Sequence, residues 1–255
     1  MIIDTHTHLY SQAFSEDRDL MMERAFAAGI EKFVVPAIDS SYASDMYDLE
    51  KKYPENVYLM MGLHPTSVKQ ESFIEELDFV EKQFEQKNFC AVGEIGIDLY
   101  WDKSTLSIQQ EAFRRQIRLA KRNNLPIVIH CRDAFDEVFE VLEKEKDDKL
   151  FGIFHCFTGN LEEAQRAISL KMKLGIGGVV TFKNGKIDTF LREISINHIV
   201  METDSPYLAP APFRGKRNES SYITFVQKKL AEIYKISEEE VAQITTKNAR
   251  EIFNI

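Results

Sequence analysis

Short apolar runs alternate with longer amphipathic segments along the whole chain. The short runs are rich in Ile, Val and Phe, which is typical of parallel strands that are buried on both faces. Between them, apolar residues recur every three to four positions, the period of a helix that covers a core with one face. The predicted strands are residues 2–5, 33–36, 57–61, 90–94, 127–130, 151–155, 173–177 and 198–203. Eight strands alternating with helices predict an α/β fold, a single-domain (β/α)8 TIM barrel over residues 1–255.

Three helical segments have the clearest patterns. Residues 73–86 predict a helix whose inward residues are Ile74, Leu77, Phe79, Val80 and Phe84. Residues 108–122 predict a second helix with an apolar face that includes Phe113 and Ile117. Residues 220–255 predict two helices separated near Ile236 and Ser237, because Ser237 and Glu240 form a capping-box pattern.

An open, doubly wound sheet is the alternative fold. Neither a Gly-x-Gly-x-x-Gly motif nor a Walker-type loop follows the first strand, which disfavours this alternative. The glycine-rich segment at residues 175–178 lies late in the chain and lacks a phosphate-loop Lys-Ser/Thr. We interpret it as close backbone packing at the rim of the seventh strand.

Composition narrows the class of protein further. The chain has 255 residues, 44% of them hydrophobic, with 32 basic and 41 acidic side chains and a net charge of −9. This charge argues against a general nucleic-acid coat protein, although it leaves room for a local basic patch. The three cysteines lie inside apolar runs and are expected to be reduced core thiols.

Nothing in the sequence predicts a membrane protein. No apolar stretch approaches the roughly 18 residues of a membrane span, and His6 begins the candidate site too early for a secretory signal. We therefore expect a cytoplasmic protein, with no membrane partner, that is a monomer.

Polar residues with metal-binding side chains stand at the ends of the apolar runs. His6 and His8 follow the first strand, and their spacing puts both rings on one face of an extended chain. The other candidate ligands are Glu94, His130, His155 and Asp204. Each histidine taken alone would more often be a satisfied core residue, but a barrel would gather all six groups at the C-terminal rim.

Six nitrogen and oxygen ligands exceed the need of one tetrahedral ion. They predict two divalent ions that share a bridging carboxylate. Histidine-rich ligation favours Zn or Mn over Ca, and Mg stays possible because carboxylates and waters can complete its shell.

Other residues near these strand ends are predicted to play supporting roles. Glu202 could orient a ligand, and Asp98 could either support a ligand or cap a helix. His64 is surplus to the ligand count and is predicted to contact substrate or to support the site. His198 begins its strand, so we expect it at the opposite, structural end of the barrel.

A basic loop follows the eighth strand. Arg214, Lys216 and Arg217 are predicted to clamp a phosphate, because barrel phosphate sites often use the loops after strands seven and eight. Arg132, which follows the fifth strand, is predicted to assist them. The alternative is a solvated surface turn.

These motifs, in this order, resemble the TatD family of metal-dependent deoxyribonucleases. The matching segments are residues 4–8, 62–65, 93–98, 130–134, 155–159, 202–206 and 213–218. The combination of Glu-Thr-Asp-Ser-Pro with Arg-Gly-Lys-Arg-Asn is the specific part, since many barrel hydrolases begin with paired histidines. The resemblance implies a metal-dependent nuclease of DNA, usually described as a 3′-5′ exonuclease.

The expected chemistry is hydrolysis of a phosphodiester by a metal-activated water, with Asp204 and Glu94 as the catalytic residues. Asp204 would act as ligand or as general base. Three alternatives stay open: an amide, lactone or ester hydrolase on the same scaffold, a D-aminoacyl-tRNA deacylase, and a binding protein without activity. The last would be expected to have lost ligands, and here none is missing.

Overall fold

Eight parallel strands follow one another around a single sheet in the order of the sequence. The computed structural model describes residues 1–255. The strands are β1 (Ile2–Asp4), β2 (Ile30–Val35), β3 (Val57–Met61), β4 (Ala91–Asp98), β5 (Ile127–Arg132), β6 (Gly152–Phe154), β7 (Met172–Ile176) and β8 (Ile199–Met201). All eight correspond to predicted strands. β3 has the predicted bounds, whereas β4 continues four residues beyond its prediction.

The first and last strands are joined by hydrogen bonds that complete the ring. The backbone N–H of Thr5 donates to the carbonyl of Met201 at 3.1 Å, and that of Asp204 donates to His6 at 2.9 Å. The N–H of His8 donates to Ser205 at 2.8 Å. The (β/α)8 TIM barrel predicted from the sequence is therefore confirmed.

Helices surround the sheet. They are α1 (Arg18–Ala27), α2 (Ala43–Lys52), α3 (Phe73–Gln86), α4 (Leu106–Asn123), α5 (Phe135–Lys144), α6 (Leu161–Ser169), α7 (Ile187–Phe190), α8 (Ile223–Tyr234) and α9 (Glu238–Phe253). α3 has the predicted bounds, and Ser237 and Glu240 form the predicted capping box at the start of α9. No helix is both long enough and apolar enough to cross a bilayer.

One predicted core position is wrong. Ile74 in α3 is 45% exposed, whereas Leu77 and Val80 are buried. Ile74 lies in the first turn, one residue after the buried Phe73, so the helix turns it away from the sheet.

The interior of the barrel has a core of its own. Ile3, Val34, Met60, Ala91, Val128, Ile153 and Val200, one from each of seven strands, form a cluster with Ala249, Ile252 and Phe253 of α9. The larger core lies between the strands and the surrounding helices. α9 therefore closes the N-terminal end of the barrel and leaves the C-terminal rim free for a site.

Candidate active site

The predicted ligands meet at the C-terminal rim of the barrel. Glu94 lies in the middle of β4, Asp98 is its last residue, and His130 lies in the C-terminal half of β5. The others follow β1, β3, β6 and β8, and they are His6, His8, His64, His155, Glu202 and Asp204. A parallel barrel delivers these side chains to one place because all its strands end at the same rim.

Glu94 lies at the centre of the group, and its two oxygens face different histidines. Oε2 is 3.0 Å from Nε2 of His6 and 3.9 Å from Nε2 of His8. Oε1 is 2.9 Å from Nδ1 of His130, 3.3 Å from Nε2 of His64 and 3.5 Å from Nε2 of His155. One buried carboxylate therefore divides five imidazoles into two sets.

The position of Glu94 depends on an irregularity in β4. The pairing between β4 and β5 shifts register between Val92 and Ile95, as in a β-bulge. Such bulges re-aim side chains next to active sites. Gly93 makes the close approach possible, since a Cβ at this position would lie 2.8 Å from the Cβ of Val128.

Asp204 faces the first set of histidines. Its Oδ1 lies 3.4 Å from Nε2 of His8 and 3.9 Å from Nε2 of His6. β8 ends at Met201 rather than at the predicted Thr203, and Asp204 sits in the following turn with a left-handed φ of 56°. The other nitrogen of His8 contacts the hydroxyl of Tyr10 at 2.9 Å, which fixes the direction of the ring.

His130 is held between two carboxylates. Its Nδ1 contacts Glu94, and its Nε2 lies 2.8 Å from Oδ2 of Asp98. The backbone N–H of Asp98 donates to Oε1 of Gln109 in α4 at 2.8 Å. Of the two roles open to Asp98, the geometry agrees with support of a histidine from behind.

His155 has a similar support. Its Nδ1 lies 3.0 Å from Oε1 of the buried Glu202, and the N–H of Cys156 donates to the same oxygen. Gly175 leaves room for this carboxylate, because a Cβ there would lie 2.2 Å from Oε2 of Glu202. This contact agrees with the predicted close packing at the end of β7.

His64 lies nearer the centre than the sequence suggested. Its Nε2 is 3.2 Å from Nδ1 of His130, and with Glu94 and His130 it forms one of three groups whose ligand atoms lie within 4.8 Å of one another. The other two groups are His6, His8 and Asp204, and His6, His155 and Glu202. His64 therefore belongs geometrically with the candidate ligands and not with the outer wall.

Burial and charge shift the protonation equilibria of the site. Burial alone would raise the pKa of Glu94, but the surrounding histidines hold it well below its usual range. Burial would lower the pKa of His155, but Glu202 and Glu94 raise it to about 10. Burial and the nearby His155 lower the pKa of His6, so this imidazole is neutral and can offer a lone pair.

The donor set fits divalent cations. Nδ1 of His6 and Oε2 of Glu202 are buried and have no hydrogen-bond partner. Nε2 of His6 and Nδ1 of His155 each face a carboxylate oxygen at 3.0 Å, but without hydrogen-bond geometry. Buried polar atoms without partners cost free energy and call for an explanation such as a bound ion. Imidazole and carboxylate ligands suit Zn, Mn or Mg better than a soft metal.

A cavity of about 600 Å³ opens above the ligands. Its outer wall includes Tyr42, Trp101, Arg132, Tyr207 and Leu208. Arg132 is the only Lys or Arg that lines it, and its guanidinium stacks 3.7 Å from the ring centre of Tyr100.

The basic loop after β8 does not line this cavity. The phosphate clamp at Arg217 stays a prediction, and in the structure its guanidinium donates to both oxygens of Asp17 at 2.6 and 2.8 Å. It also donates to the carbonyl of Ala13. Arg214 lies over the ring of Phe182 and Lys216 over that of Phe213. Arg217 therefore fastens the loop to the segment after β1.

Two further buried residues, Asp4 and Asn218, support the site, although the sequence pattern predicts no role for them. Asp4 accepts hydrogen bonds from the backbone N–H and the hydroxyl of Thr203, at 3.0 and 2.7 Å. Asn218 donates to the carbonyls of Thr203 and Tyr207, both at 2.7 Å. Both residues hold the turn that carries Asp204. Asp4 lies in the motif of residues 4–8 and Asn218 in that of residues 213–218, and these positions are the feature of the sequence that could have identified them.

His198 lies at the start of β8, at the opposite end of the barrel, as expected. It is half-buried. It therefore serves as a reference position outside the candidate site.

The fold and the rim geometry define a hydrolase-type (β/α)8 barrel with a candidate metal centre. Residues 3–254 match the family described as TatD related DNase, and the chain belongs to this family. It is 40% identical over 256 residues to the "uncharacterized metal-dependent hydrolase YabD" of Bacillus subtilis, with all of both chains covered. It is 31% identical to YcfH of Escherichia coli, a protein of the same description, covering 100% of this chain and 96% of that one.

A solved structure agrees with this assignment. The crystal structure of YjjV, a TatD homologue from Escherichia coli K12, superposes with a TM-score of 0.93 at 30% identity. The match covers 100% of this chain and 98% of YjjV. The barrel fold is therefore shared along the full length of the two chains.

Proposed function

We propose that this protein is a divalent-metal-dependent hydrolase that cleaves phosphodiester bonds of DNA, acting on single strands or 3′ ends as an exonuclease. The proposed metal dependence rests on Glu94, because its two carboxylate oxygens face two different sets of histidines. That arrangement suits a pair of ions bridged by one carboxylate.

The proposed ligands fall into two sets that share Glu94. His6, His8 and Asp204 would hold one ion. His130, His155 and His64 would hold the other, with His64 as an addition to the six ligands expected from the sequence. Bound ions would supply a nucleophilic water near neutral pH.

The protein's own groups then have distinct tasks. Asp204, whose Oδ1 lies 3.4 Å from Nε2 of His8, would orient the attacking water and accept its proton. Asp98 and Glu202 would keep the rings of His130 and His155 in their orientations. Arg132 would neutralise a non-bridging phosphate oxygen at the cavity wall.

The family description supports DNA as the substrate, and the cation at the cavity wall agrees with a phosphodiester. Carboxyl esters, lactones and aminoacyl esters are the competing substrates, because a metal-activated water can attack them as well. Nothing in the rim geometry favours one of these over a phosphodiester.

A substrate panel would test the proposal. The protein would be stripped with a chelator and assayed after addition of Zn, Mn or Mg. The panel would contain single-stranded oligonucleotides labelled at either end, a lactone, an aryl acetate and a D-aminoacyl-tRNA. We expect metal-restored release of nucleotides from the 3′ end. Metal-restored hydrolysis of a carboxyl substrate without DNA cleavage would overturn the proposal.

A further inference from the structure

We propose that the mouth of the cavity is a base-stacking clamp, in which Trp101, with Tyr100 packed against it, forms one wall and Tyr207 forms the other. The ligand would be an unpaired nucleobase at the end of a polynucleotide, next to the phosphate held by Arg132. This inference rests on the proposed function and specifies how the substrate is held.

Exposed aromatic side chains are concentrated at this mouth. Nine large hydrophobic side chains of the chain are exposed, and four of them, Tyr42, Trp101, Tyr207 and Leu208, line this one cavity. Trp101 is 71% exposed, Tyr207 57% and Tyr100 53%. An apolar patch that is kept exposed around a cavity marks a binding site more often than chance.

The first wall is rigidly tied to the ligand cluster. Oδ1 of Asp98 accepts the backbone N–H groups of Tyr100 and Trp101, at 3.0 and 3.4 Å, while Oδ2 contacts His130. The two rings meet edge to face, with centroids 4.9 Å apart. One carboxylate thus sets the distance between this wall and the candidate metal centre.

The second wall, Tyr207, is anchored to the turn that contains Asp204. The backbone N–H of Tyr207 donates to the carbonyl of Asp204 at 2.8 Å, and its ring lies 5.7 Å from that of His8. Asn218 holds the carbonyl of Tyr207. Both walls are therefore positioned by residues that also position candidate ligands.

A nucleobase is the planar group that fits this combination of contacts. Aromatic walls bind any base through its π-face, so they tolerate every sequence, as an exonuclease requires. A cation stands next to the wall, because the guanidinium of Arg132 lies 3.7 Å from the ring centre of Tyr100 and 5.7 Å from that of Trp101. A cavity of about 600 Å³ lies within the size range of small-molecule sites, so it has room for a planar base.

Trp101 is the only tryptophan in the chain, so its fluorescence reports directly on the clamp. The experiment titrates the metal-loaded Asp204→Asn protein with a short single-stranded oligonucleotide and with the same oligonucleotide whose 3′-terminal nucleotide is abasic. We expect the complete oligonucleotide to quench the fluorescence of Trp101. The abasic one should bind more weakly by roughly 5- to 150-fold, the value of one stacked base.

Variants of the wall provide the second arm, in the active protein. Trp101→Ala and Tyr207→Ala should each raise KM for the complete oligonucleotide, with little change for the abasic one, and Trp101→Phe should recover at least half of the loss. Phe26→Ala removes an exposed aromatic ring on α1, outside the cavity, and serves as the control.

The two proposals fail in different ways. DNA cleavage with equal binding of both oligonucleotides, and unchanged KM in Trp101→Ala and Tyr207→Ala, would overturn the clamp and leave the nuclease. Hydrolysis of carboxyl substrates alone would overturn the nuclease and the clamp with it.

Discussion

At the scale of single residues, Glu94 is the group on which the site depends. It is almost fully buried and has five imidazoles within 3.9 Å. A buried carboxylate is costly unless positive charge compensates it. Burial desolvates the lone pairs of the unprotonated imidazoles as well as the carboxylate. A pair of cations shared through Glu94 would compensate its charge and would also bind these lone pairs.

Asp204 offers a test of the proposed chemistry. Asp204→Asn nearly keeps the shape of the side chain but removes its charge and its capacity to accept a proton. We expect turnover to fall by about 10²- to 10⁴-fold, with little change in the urea unfolding midpoint. His198→Gln, at the opposite end of the barrel, should leave turnover close to that of the wild type. A drop in His198→Gln as large as that in Asp204→Asn would contradict the site.

Glu202 offers a test based on the pH dependence of metal binding. His155 has a pKa raised to about 10, so it is protonated at pH 7 and must lose its proton to bind a metal. Metal affinity should therefore rise with pH, by about tenfold per unit for each proton released, until pH approaches about 10. Glu202→Gln removes the charge that favours the protonated ring and should flatten this dependence.

Calorimetry in two buffers of different ionisation enthalpy would count the protons released on metal binding at pH 7. The wild type and His198→Gln should release more protons than Glu202→Gln. Equal release by all three proteins would show that Glu202 does not control the protonation of His155.

Residue roles were predictable where strand ends determine them and less so elsewhere. Of the six expected ligands, His6, His8, His155 and Asp204 follow the ends of strands. Glu94 and His130 lie inside strands that extend beyond their predicted ends, and they meet the others at the same rim. His64 follows the same rule, but counting ligands alone placed it outside the group. The pairing of Arg217 with Asp17 was not predictable, because the two residues lie 200 positions apart in the sequence and no local pattern reveals such a pairing.

At the scale of elements, patterns located every strand but not every end. β4 extends to Asp98 because residues 95–98 continue to pair with β5 after the bulge. β8 is shorter than predicted because the chain leaves the ladder after Met201 to form the turn around Asp204. Both departures occur at the rim, where strands are adapted to hold candidate ligands.

α4 shows how one helix positions two strand ends. Oε1 of Gln116 accepts the backbone N–H of Leu63 at 2.7 Å, and its Nε2 donates to the carbonyl of the same residue at 3.1 Å. Gln109, seven residues earlier, makes the same pair of contacts with Asp98. Two amides on one face of α4 thus fix the backbone beside His64 and at the end of β4.

We expect Gln116→Met to destabilise the protein strongly. It keeps the volume but leaves two buried backbone groups without partners, at about 1–3 kcal/mol for each. Gln243→Met, on the exposed side of α9, is the control and should change the unfolding free energy little. Urea denaturation measures both. Equal midpoints for the two variants would mean that water replaces the amide of Gln116.

At the scale of the whole molecule, stability and chemistry occupy opposite ends of the barrel. Phe253 of α9 is 3% exposed and packs into the barrel interior with Ile3, Val34 and Met60. Phe253→Ala should lower the free energy of unfolding by about 3–5 kcal/mol, and the folded variant should keep its metal affinity. Phe26→Ala, at a partly exposed ring, should cost less. Loss of metal binding in folded Phe253→Ala would show that packing at the N-terminal end of the barrel affects the site at the C-terminal rim.

The net charge of the whole molecule leads to a prediction about the salt dependence of oligonucleotide binding. The chain carries a net charge of −9, so its surface repels nucleic acid in general, and only Arg132 among its cations lines the cavity. Each phosphate contact on a single strand contributes about 0.7 to the slope of log affinity against log salt. At a fixed divalent-metal concentration, Arg132→Met should therefore reduce the slope by about 0.7.

Arg217→Met should leave the slope unchanged and lower stability instead, because Arg217 pairs with Asp17. The measurement is oligonucleotide binding across a series of salt concentrations. A reduction in Arg217→Met equal to that in Arg132→Met would show that Arg217 contacts phosphate, as the sequence predicts.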